Sequence, residues 1–366
     1  MKLTTILMIF ISICVFGQNE KYWYAFDAID TIQNPLSSSL GFKDINGNIK
    51  VKPIYISPLT QNKRFEKVVA LTEYKKGNSK DYYLNKAGKR FGIDSVYSFD
   101  FTHDTEQEGF IRFKIGKYLD SIGLFNSNGK VMIEPIYNSL SKVNNGLVIA
   151  KIGAIQKHEP PNSACDHWFF EGGKQMILDT LGNILIDNFK DDDLELNLYS
   201  LKVSEQKNTE KFRHNFKGLN KKYYSFISSK EEFQDFIKND FLKNISKKNN
   251  NDYLFLTLKN KALKSKKIHN EILEIIEIIK NNNIKFSNYA IVSFEEEDNK
   301  FIQKYLDNAD ELIYEKYPTF EIESNQNKIE VSLSFIRTEN GYKIYDYRIQ
   351  KLNANDFKIL TPREIN

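Results

Sequence analysis

The sequence has few of the residues from which disulfide frameworks, metal sites and common catalytic centres are built. Of its 366 residues, two are cysteine and five are histidine. Cys14 lies in an N-terminal segment that we expect to be removed, so Cys165 alone remains and no intramolecular disulfide can form. No histidine lies in an HExxH motif, and neither a GxSxG motif nor a phosphate-binding glycine loop is present. These absences favour a non-catalytic protein and predict no cofactor.

Long apolar runs are also missing. None reaches the roughly 20 residues that a membrane-spanning helix needs, and the N-terminal run from Ile6 to Phe16 is too short. One Lys precedes this run and Val15-Phe16-Gly17 ends it, as in a signal peptide. We therefore predict a signal peptide over 1–17, cleavage near Gly17/Gln18, and export to the periplasm, the outer envelope or the medium. A lipid anchor on Cys14 is disfavoured because Ile13 stands where a small residue is required.

A strong excess of one charge is absent too. The formal net charge is +4, which does not favour nucleic acid as a partner. One local basic patch lies in the second half of the chain: Lys259, Lys261, Lys264, Lys266 and Lys267. It could meet an anionic surface, although a lysine-rich surface that keeps the protein soluble explains the same pattern.

The sequence does contain an internal repeat. GFKDINGNIKVKPIY at 41–55 returns as GLFNSNGKVMIEPIY at 123–137. Gly88 lies 41 residues from both Gly47 and Gly129, so the period is 41. A weaker fourth copy has Asp179 in the place of Asp44 and Gly182 in the place of Gly47, after a 12-residue insertion.

Each copy predicts a β-hairpin followed by a strand. Asn46-Gly47 and Asn128-Gly129 are suited to tight turns with positive φ, and we assign the same role to Gly88 and Gly182. After the turn, period-two alternation predicts that Ile49, Val51 and Tyr55 share a buried face, matched by Val131, Ile133 and Tyr137. Such units bury their apolar faces by stacking on one another.

These residues resemble the WG (KWG-type) repeat family of bacterial surface and periplasmic proteins, over roughly residues 36–190. The family's Trp-Gly dipeptide is replaced here by Leu40-Gly41 and Ile122-Gly123. The resemblance implies a β-rich binding or scaffold domain over 18–190, built from four units of about 41 residues, without a defined reaction.

Composition changes near residue 190, where Asp191, Asp192 and Asp193 precede a polar stretch without a sustained period. We interpret 191–222 as a linker. The three aspartates lack the alternating ligands and glycine of a calcium loop.

Beyond the linker, residues 223–366 predict an α+β domain. Helices are expected from Ser229, over Lys267 to Lys280 and from Glu295 onward, with strands at 252–258 and 289–294. The chain closes with a hairpin around Asn340-Gly341. That hairpin faintly resembles the last strands of NTF2-like domains, and no function follows from so short a match.

One group of side chains contains potential metal ligands. His158, Cys165 and His167 lie within ten residues of each other, and their side chains can bind zinc or copper. Their spacing matches no established zinc motif, so we predict no metal.

Two functions remain open. The first is an exported, non-catalytic protein whose repeat surface binds a protein or an envelope component, with the α+β domain as an accessory module. The alternative is a hydrolytic enzyme with an unrecognised pocket in the C-terminal domain. A closed apolar core there would favour the first, and a polar cleft with paired carboxylates the second.

Overall fold

A computed structural model shows a strand-rich protein made of antiparallel sheets, one of them curled into a half-barrel. The structure describes residues 22–29, 38–56, 59, 64–75, 78–99, 102–116, 121–158, 168–190, 194–244, 276–277, 288–292, 319–326, 329–338, 341–353 and 356–360. The prediction of a β-rich chain is confirmed.

Before Lys190 the described residues form four three-stranded antiparallel meanders. The first is β1 (Trp23–Ile29), β2 (Ser38–Lys43) and β3 (Ile49–Ile56); the second, after β4 (Arg64–Phe65), is β5 (Val68–Lys75), β6 (Asn78–Asn85) and β7 (Arg90–Phe91). The short β8 (Ser98–Phe99) and β9 (Thr102–His103) precede the third, β10 (Phe110–Lys114), β11 (Ile122–Asn126) and β12 (Val131–Tyr137). The fourth follows β13 (Ser139–Leu140) and contains β14 (Leu147–His158), β15 (Trp168–Asp179) and β16 (Ile184–Ile186).

Consecutive meanders are joined by strand pairing. The first two share one curled sheet in the order β4-β1-β2-β3-β5-β6-β7, in which Tyr55 pairs with Glu73. Val96, after the second meander, bridges to Phe113 of the third. Leu140, after the third, pairs with Ala150 of the fourth. The end of each meander therefore lies beside the first strand of the next.

The apolar core is divided among clusters that lie between neighbouring meanders. One cluster joins the first two meanders and contains Leu40, Phe42, Val51, Tyr55, Phe65, Val69, Leu71, Tyr82 and Leu84. The next joins the second and third: Val68, Ala70, Tyr83, Phe91, Val96, Ile111, Phe113 and Phe125. A third joins the third and fourth: Tyr97, Ile122, Leu124, Ile133, Tyr137, Leu140, Val143, Val148, Ala150, Met176 and Leu178. Alternate residues of β5 and β6 enter different clusters, so the second meander is buried on both faces.

The fourth meander contains the insertion that interrupts the sequence period. Strands β14 and β15 have 12 residues each, against five each in β10 and β11. Their pairing continues from Leu147↔Asp179 to His158↔Trp168. The inserted residues therefore lengthen one hairpin and leave the core of the meander in place.

The chain divides into two compact bodies. The N-terminal body contains residues 1–190 and 216–222, and the C-terminal body contains 191–215 and 223–366. Much of the stretch predicted as a linker is regular structure: β17 (Leu196–Ser204) and β18 (Arg213–Lys217) form a three-stranded sheet with β19 (Tyr223–Ser228). The stretch is ordered although polar, because the buried Arg213 donates hydrogen bonds to the carbonyls of Ser200 (2.7 Å) and Ser225 (3.0 Å).

The C-terminal body continues with helix α1 (Ser229–Asp235), a π-helical segment (Phe236–Phe241) and a short α2 (Leu242–Asn244). Ser228 is the N-cap of this helix, and its hydroxyl accepts from the Glu231 amide at 3.1 Å. A five-stranded sheet follows, with β20 (Asn288–Val292), β21 (Thr319–Gln326), β22 (Ile329–Thr338), β23 (Gly341–Asn353) and β24 (Asp356–Leu360) in sequential order. Ile276 and Glu277 are helical; the rest of that predicted helix, the helix from Glu295 and the strand at 252–258 lie outside the described residues.

Candidate functional site

The turn between the second and third strand has a common geometry in all four meanders. These turns span 44–48, 85–89, 126–130 and 179–183. In the third, the Gly129 amide donates to the Asn126 carbonyl (2.9 Å) and the Asn126 amide to the Lys130 carbonyl (3.0 Å). The same two bonds recur in the others, and the φ of the glycines lies between 76° and 87°. This is a type I turn closed by a glycine bulge.

The first residue of each turn is an Asp or Asn that the sequence analysis recognised only in part. The Asn126 Oδ1 atom accepts from the amides of Asn128 and Lys130, both at 3.0 Å. Asp44 and Asp179 bind their own turns in the same way, and Asn85 accepts from the Lys89 amide. Asn85 and Asn126 were missed because Asn and Asp were not compared as equivalent acceptors, although they keep the 41-residue period.

The second and third turns pack on one another at one edge of the N-terminal body. The Asn85 side chain donates to the Ser127 carbonyl (3.1 Å), and Lys89 Nζ donates to the Asn128 carbonyl (2.7 Å). The ring of Phe91 lies against Gly129, where an added Cβ would stand 2.5 Å from the ring. The second and third turns are therefore in direct contact.

A second set of contacts crosses the same edge and was not predicted. The Glu106 carboxylate accepts from the amides of Lys67 (2.8 Å) and Val68 (2.7 Å), and Glu108 accepts from those of Asn145 (2.8 Å) and Gly146 (2.9 Å). Burial raises the pKa of Glu106, and the hydrogen bonds from the two backbone amides oppose that rise. Both glutamates precede the third meander, and their hydrogen bonds join it to the start of the second meander and to the start of the fourth.

Exposed apolar side chains recur at the start of the third strand. The position two residues after the turn glycine is occupied by Ile49, Arg90, Val131 and Ile184, which we call the exposed row. The three aliphatic members are 59%, 37% and 39% exposed. The expectation that Ile49 and Val131 are buried was therefore wrong.

A shift of register explains the exposure of Ile49. Val51 lies opposite the buried Phe42, whereas Ile49 lies opposite the exposed Lys43, because an extra residue on β3 forms a bulge between the two pairs. Residues directly opposite each other in a sheet share a face, so Ile49 is turned toward solvent with Lys43. A register shift also precedes Val131 and Ile184, but these residues lie opposite the buried Phe125 and Leu178, so the shift does not account for their exposure.

A second recurring position lies farther along the same strands. Ile54 and Ile136 follow Pro53 and Pro135 and are 43% and 57% exposed. In both copies the third strand has two extra residues opposite the glycine of the second strand, Gly41 or Gly123, so the pairing register shifts by two there. A Cβ on Gly123 would stand 2.7 Å from the Ile133 carbonyl oxygen, so glycine allows the strand to bend there and Ile136 to face outward.

A buried polar chain links the second meander to the β8–β9 hairpin. The Thr72 hydroxyl donates to Asp81 (2.8 Å) and lies 2.7 Å from Nε2 of His103, whose Nδ1 lies 2.8 Å from the Ser98 hydroxyl. Because the Thr72 proton is given to a carboxylate, Nε2 of His103 must be the donor and Nδ1 the acceptor from Ser98. Burial lowers the pKa of His103.

These residue types occur in nucleophilic catalysis, yet their burial does not suit it. Thr72 and His103 are both buried, so a substrate could reach only the partly exposed ends of the chain of hydrogen bonds, Ser98 and Asp81. Beside this chain, Arg112 forms two hydrogen bonds with Asp104 (3.0 and 2.6 Å) and donates to the Leu140 carbonyl (2.8 Å). The cluster connects strands and turns within the N-terminal body.

The described core of the C-terminal body is mainly apolar. Its buried side chains include Phe233, Ile237, Phe241, Leu333, Phe335, Ile336, Tyr342 and Ile344. The carboxylate of Glu232 accepts from the Tyr342 hydroxyl (2.9 Å) and lies 3.7 Å from Arg337. In the part of this body that the structure describes, Glu232 has these two partners and no second carboxylate is paired with it.

The other predicted site residues can be placed only in part. The glycines of the four turns adopt the geometry given above. Cys165, His167, the side chain of His158 and the basic patch from Lys259 to Lys267 lie outside the described residues. Among the residues that are described, no three His, Cys, Asp or Glu side chains are grouped to hold a metal ion. No described helix is long and apolar enough to cross a membrane.

Comparison with known proteins identifies no relative. No family model matches the chain, and no curated protein matches it. A solved structure that aligns with it is that of Kluyveromyces lactis Hsv2, at 9% sequence identity over 85% of this chain and 91% of that one. The TM-score of this alignment is 0.24, which does not indicate a shared fold.

Proposed function

We propose that this chain is an exported, non-catalytic binding protein whose N-terminal body is an array of four WG-like repeats, followed by an α+β accessory domain. The observation that carries the proposal is one exposed position that recurs in all four meanders and is apolar in three of them. Residues 1–17 would direct export, and the partner would be a protein or an envelope component.

The shared turn geometry supports four related units. All four turns have the same pair of backbone hydrogen bonds, the same Asp or Asn acceptor and a glycine with positive φ. Core clusters between neighbouring meanders are typical of repeat arrays, in which each unit is stabilised by its neighbours. The 12-residue difference in spacing falls in a hairpin and leaves this frame intact.

The exposed row supports a binding surface. A single exposed aliphatic residue is ordinary, whereas apolar side chains that line up on a surface mark interaction sites. Gly129, two residues before Val131, packs on Phe91 beside Arg90. Gly182, two residues before Ile184, lies near the Met132 carbonyl (3.6 Å) and the Ile133 side chain (3.8 Å). The last three members of the row therefore follow one another across adjacent meanders.

The test is partner capture by the mature chain 18–366, with intact mass first establishing that secreted material begins at Gln18. A Val131→Ser/Ile184→Ser variant should lose the proteins that wild type retains from an envelope extract. Ile155→Ser is the matched control, since Ile155 is exposed on the lengthened hairpin and outside the row. Equal unfolding midpoints would show that the fold is intact, because exposed substitutions usually change stability by about 0.5 kcal/mol or less.

Two results would oppose the proposal. If the row variant and the control retain the same partners, the row is not the binding surface. If the purified chain hydrolyses ester, peptide or glycoside substrates and this activity follows the C-terminal body, the enzyme alternative replaces it.

A further inference from the structure

We propose that the β8–β9 hairpin is an acid-sensitive latch between the second and third meanders, held closed by the neutral imidazole of His103 and released when that imidazole is protonated. The latch is defined by the described residues 96–99 and 102–104. It goes beyond the proposed binding function, because it concerns how the array responds to pH.

The position of the hairpin makes it a connection between core clusters. Val96 belongs to the cluster between the second and third meanders, and Tyr97 to the cluster between the third and fourth. The Tyr97 amide donates to the Tyr83 hydroxyl at 2.9 Å, and the Asp104 amide donates to the Tyr97 carbonyl at 2.9 Å. Loosening this segment would therefore reduce the contacts of both clusters.

His103 is the point at which the hairpin is fastened to the second meander. Its ring joins the cross-strand pair Ser98 and His103 of the hairpin to the cross-strand pair Thr72 and Asp81 of β5 and β6. The four side chains form one continuous line of hydrogen bonds, 2.7 to 2.8 Å long, in which each nitrogen of a neutral imidazole has the partner it needs.

Protonation disturbs this arrangement in two ways. A second ring proton turns Nδ1 into a donor, so the Ser98 hydroxyl must rotate and its own proton loses its acceptor. A positive charge is also placed in a site that is 7% exposed, which is costly without a direct counter-charge. The charged groups that act on the ring are Asp81 of β6, which favours the imidazolium, and Lys114 of β10, which opposes it. The nearby Asp104 is already paired with Arg112.

The sign of the pH effect follows from the lowered pKa. Burial is the largest influence and lowers the pKa of His103 below its usual 6.5. The folded state therefore has its full stability above about pH 6.5, and loses this contribution as the pH falls through that value toward the lower folded pKa. Below the folded pKa of His103, the equilibrium constant for opening the latch is larger than at neutral pH. The increase is about tenfold for each unit by which the folded pKa lies below 6.5.

Two measurements on the mature chain test the latch. NMR titration of the imidazole protons, with the His103 signal assigned by its loss in His103→Gln, should give a pKa below 6.5. Hydrogen exchange, corrected for its intrinsic pH dependence, should show lower protection in 96–104 at pH 5 than at pH 7.5. Peptides from β11 and β12 should change less.

Two variants test the direction of the pH effect independently. Asp81→Asn removes the carboxylate that favours the imidazolium, so the pKa of His103 should fall and the loss of protection of the hairpin between pH 7.5 and pH 5 should become larger. His214→Gln is the matched control: His214 lies in the C-terminal body, 2.7 Å from Glu231, and its loss should leave the latch unchanged. The proposal is overturned if His103 titrates at or above 6.5, or if protection of 96–104 does not change where it titrates. If His103→Gln does not fold, hydrogen exchange on wild type still decides: unchanged protection of the hairpin between pH 7.5 and pH 5 overturns the proposal.

Discussion

Replacing two equivalent turn glycines by alanine separates the contribution of a turn from that of the contact between meanders. Gly47 and Gly129 have similar φ, +87° and +76°, so alanine at either position is strained by about 1–2 kcal/mol. Their surroundings differ. A Cβ on Gly47 meets nothing within 4 Å, whereas a Cβ on Gly129 would stand 2.5 Å from the Phe91 ring.

The expected costs follow from this difference. Gly47→Ala should lower the free energy of unfolding of the N-terminal body by about 1–2 kcal/mol. Gly129→Ala should lower it by about 1–3 kcal/mol more, since Phe91 is buried and must move as in other overpacked cores. For a body of this size, the additional destabilisation corresponds to roughly 2–12 °C in melting temperature.

Intrinsic tryptophan fluorescence is a suitable signal. The two tryptophans, Trp23 and Trp168, belong to the N-terminal body, and Trp23 packs edge-on against Phe65 at 5.2 Å. In urea unfolding monitored by this fluorescence, the free energy of unfolding should be highest for wild type, lower for Gly47→Ala and lowest for Gly129→Ala. Equal costs for the two variants would refute the reasoning, because the contact between Phe91 and the third turn would then contribute nothing.

Three further results are expected. Asn126→Asp should leave the free energy of unfolding nearly unchanged, because Asp44 and Asp179 accept the same hydrogen bonds in their turns. Asn126→Ala should lower it by about 1 kcal/mol in urea unfolding. Equal effects of the two substitutions would show that the Asn126 side chain does not stabilise the turn as an acceptor. Hydrogen bonds from Asn48, and then the nearby Lys50, hold the pKa of Asp44 below its usual value. The stability that this group contributes is therefore present above about pH 4 and lost as the pH falls. The difference in free energy of unfolding between wild type and Asp44→Asn should shrink from about pH 7 to about pH 3. Limited proteolysis should spare 196–217, where β17 and β18 lie, and an early cut there would contradict the ordered sheet.

Much of the N-terminal body was accessible from the sequence. The period of 41, the glycine turns and the alternation around Val51 and Tyr55 depend on neighbouring residues, since a tight turn requires positive φ and a strand alternates every two residues. The place of the 12-residue insertion also followed from spacing. Local rules were sufficient because each turn is fixed by its own side chain, as Asn126 shows.

The candidate site was less accessible. Ile49 and Val131 have the period of buried residues, yet both are exposed, and Ile49 is turned outward by the register shift that places it opposite the exposed Lys43. No pattern within one strand reports how the opposite strand is aligned. The links made by Glu106 and Glu108 join residues more than 35 positions apart, and a single sequence gives no signal for them.

The sequence by itself determined that this is a strand-rich chain with recurring glycine turns, because turn and strand preferences are properties of a few adjacent residues. Tertiary structure alone decided that the polar stretch from residue 194 to 222 would be ordered, that His103 would be enclosed between Thr72 and Ser98, and that Val131 and Ile184 would be exposed. These outcomes depend on pairing between distant segments, in which burial and register are fixed by the neighbour and not by the residue itself.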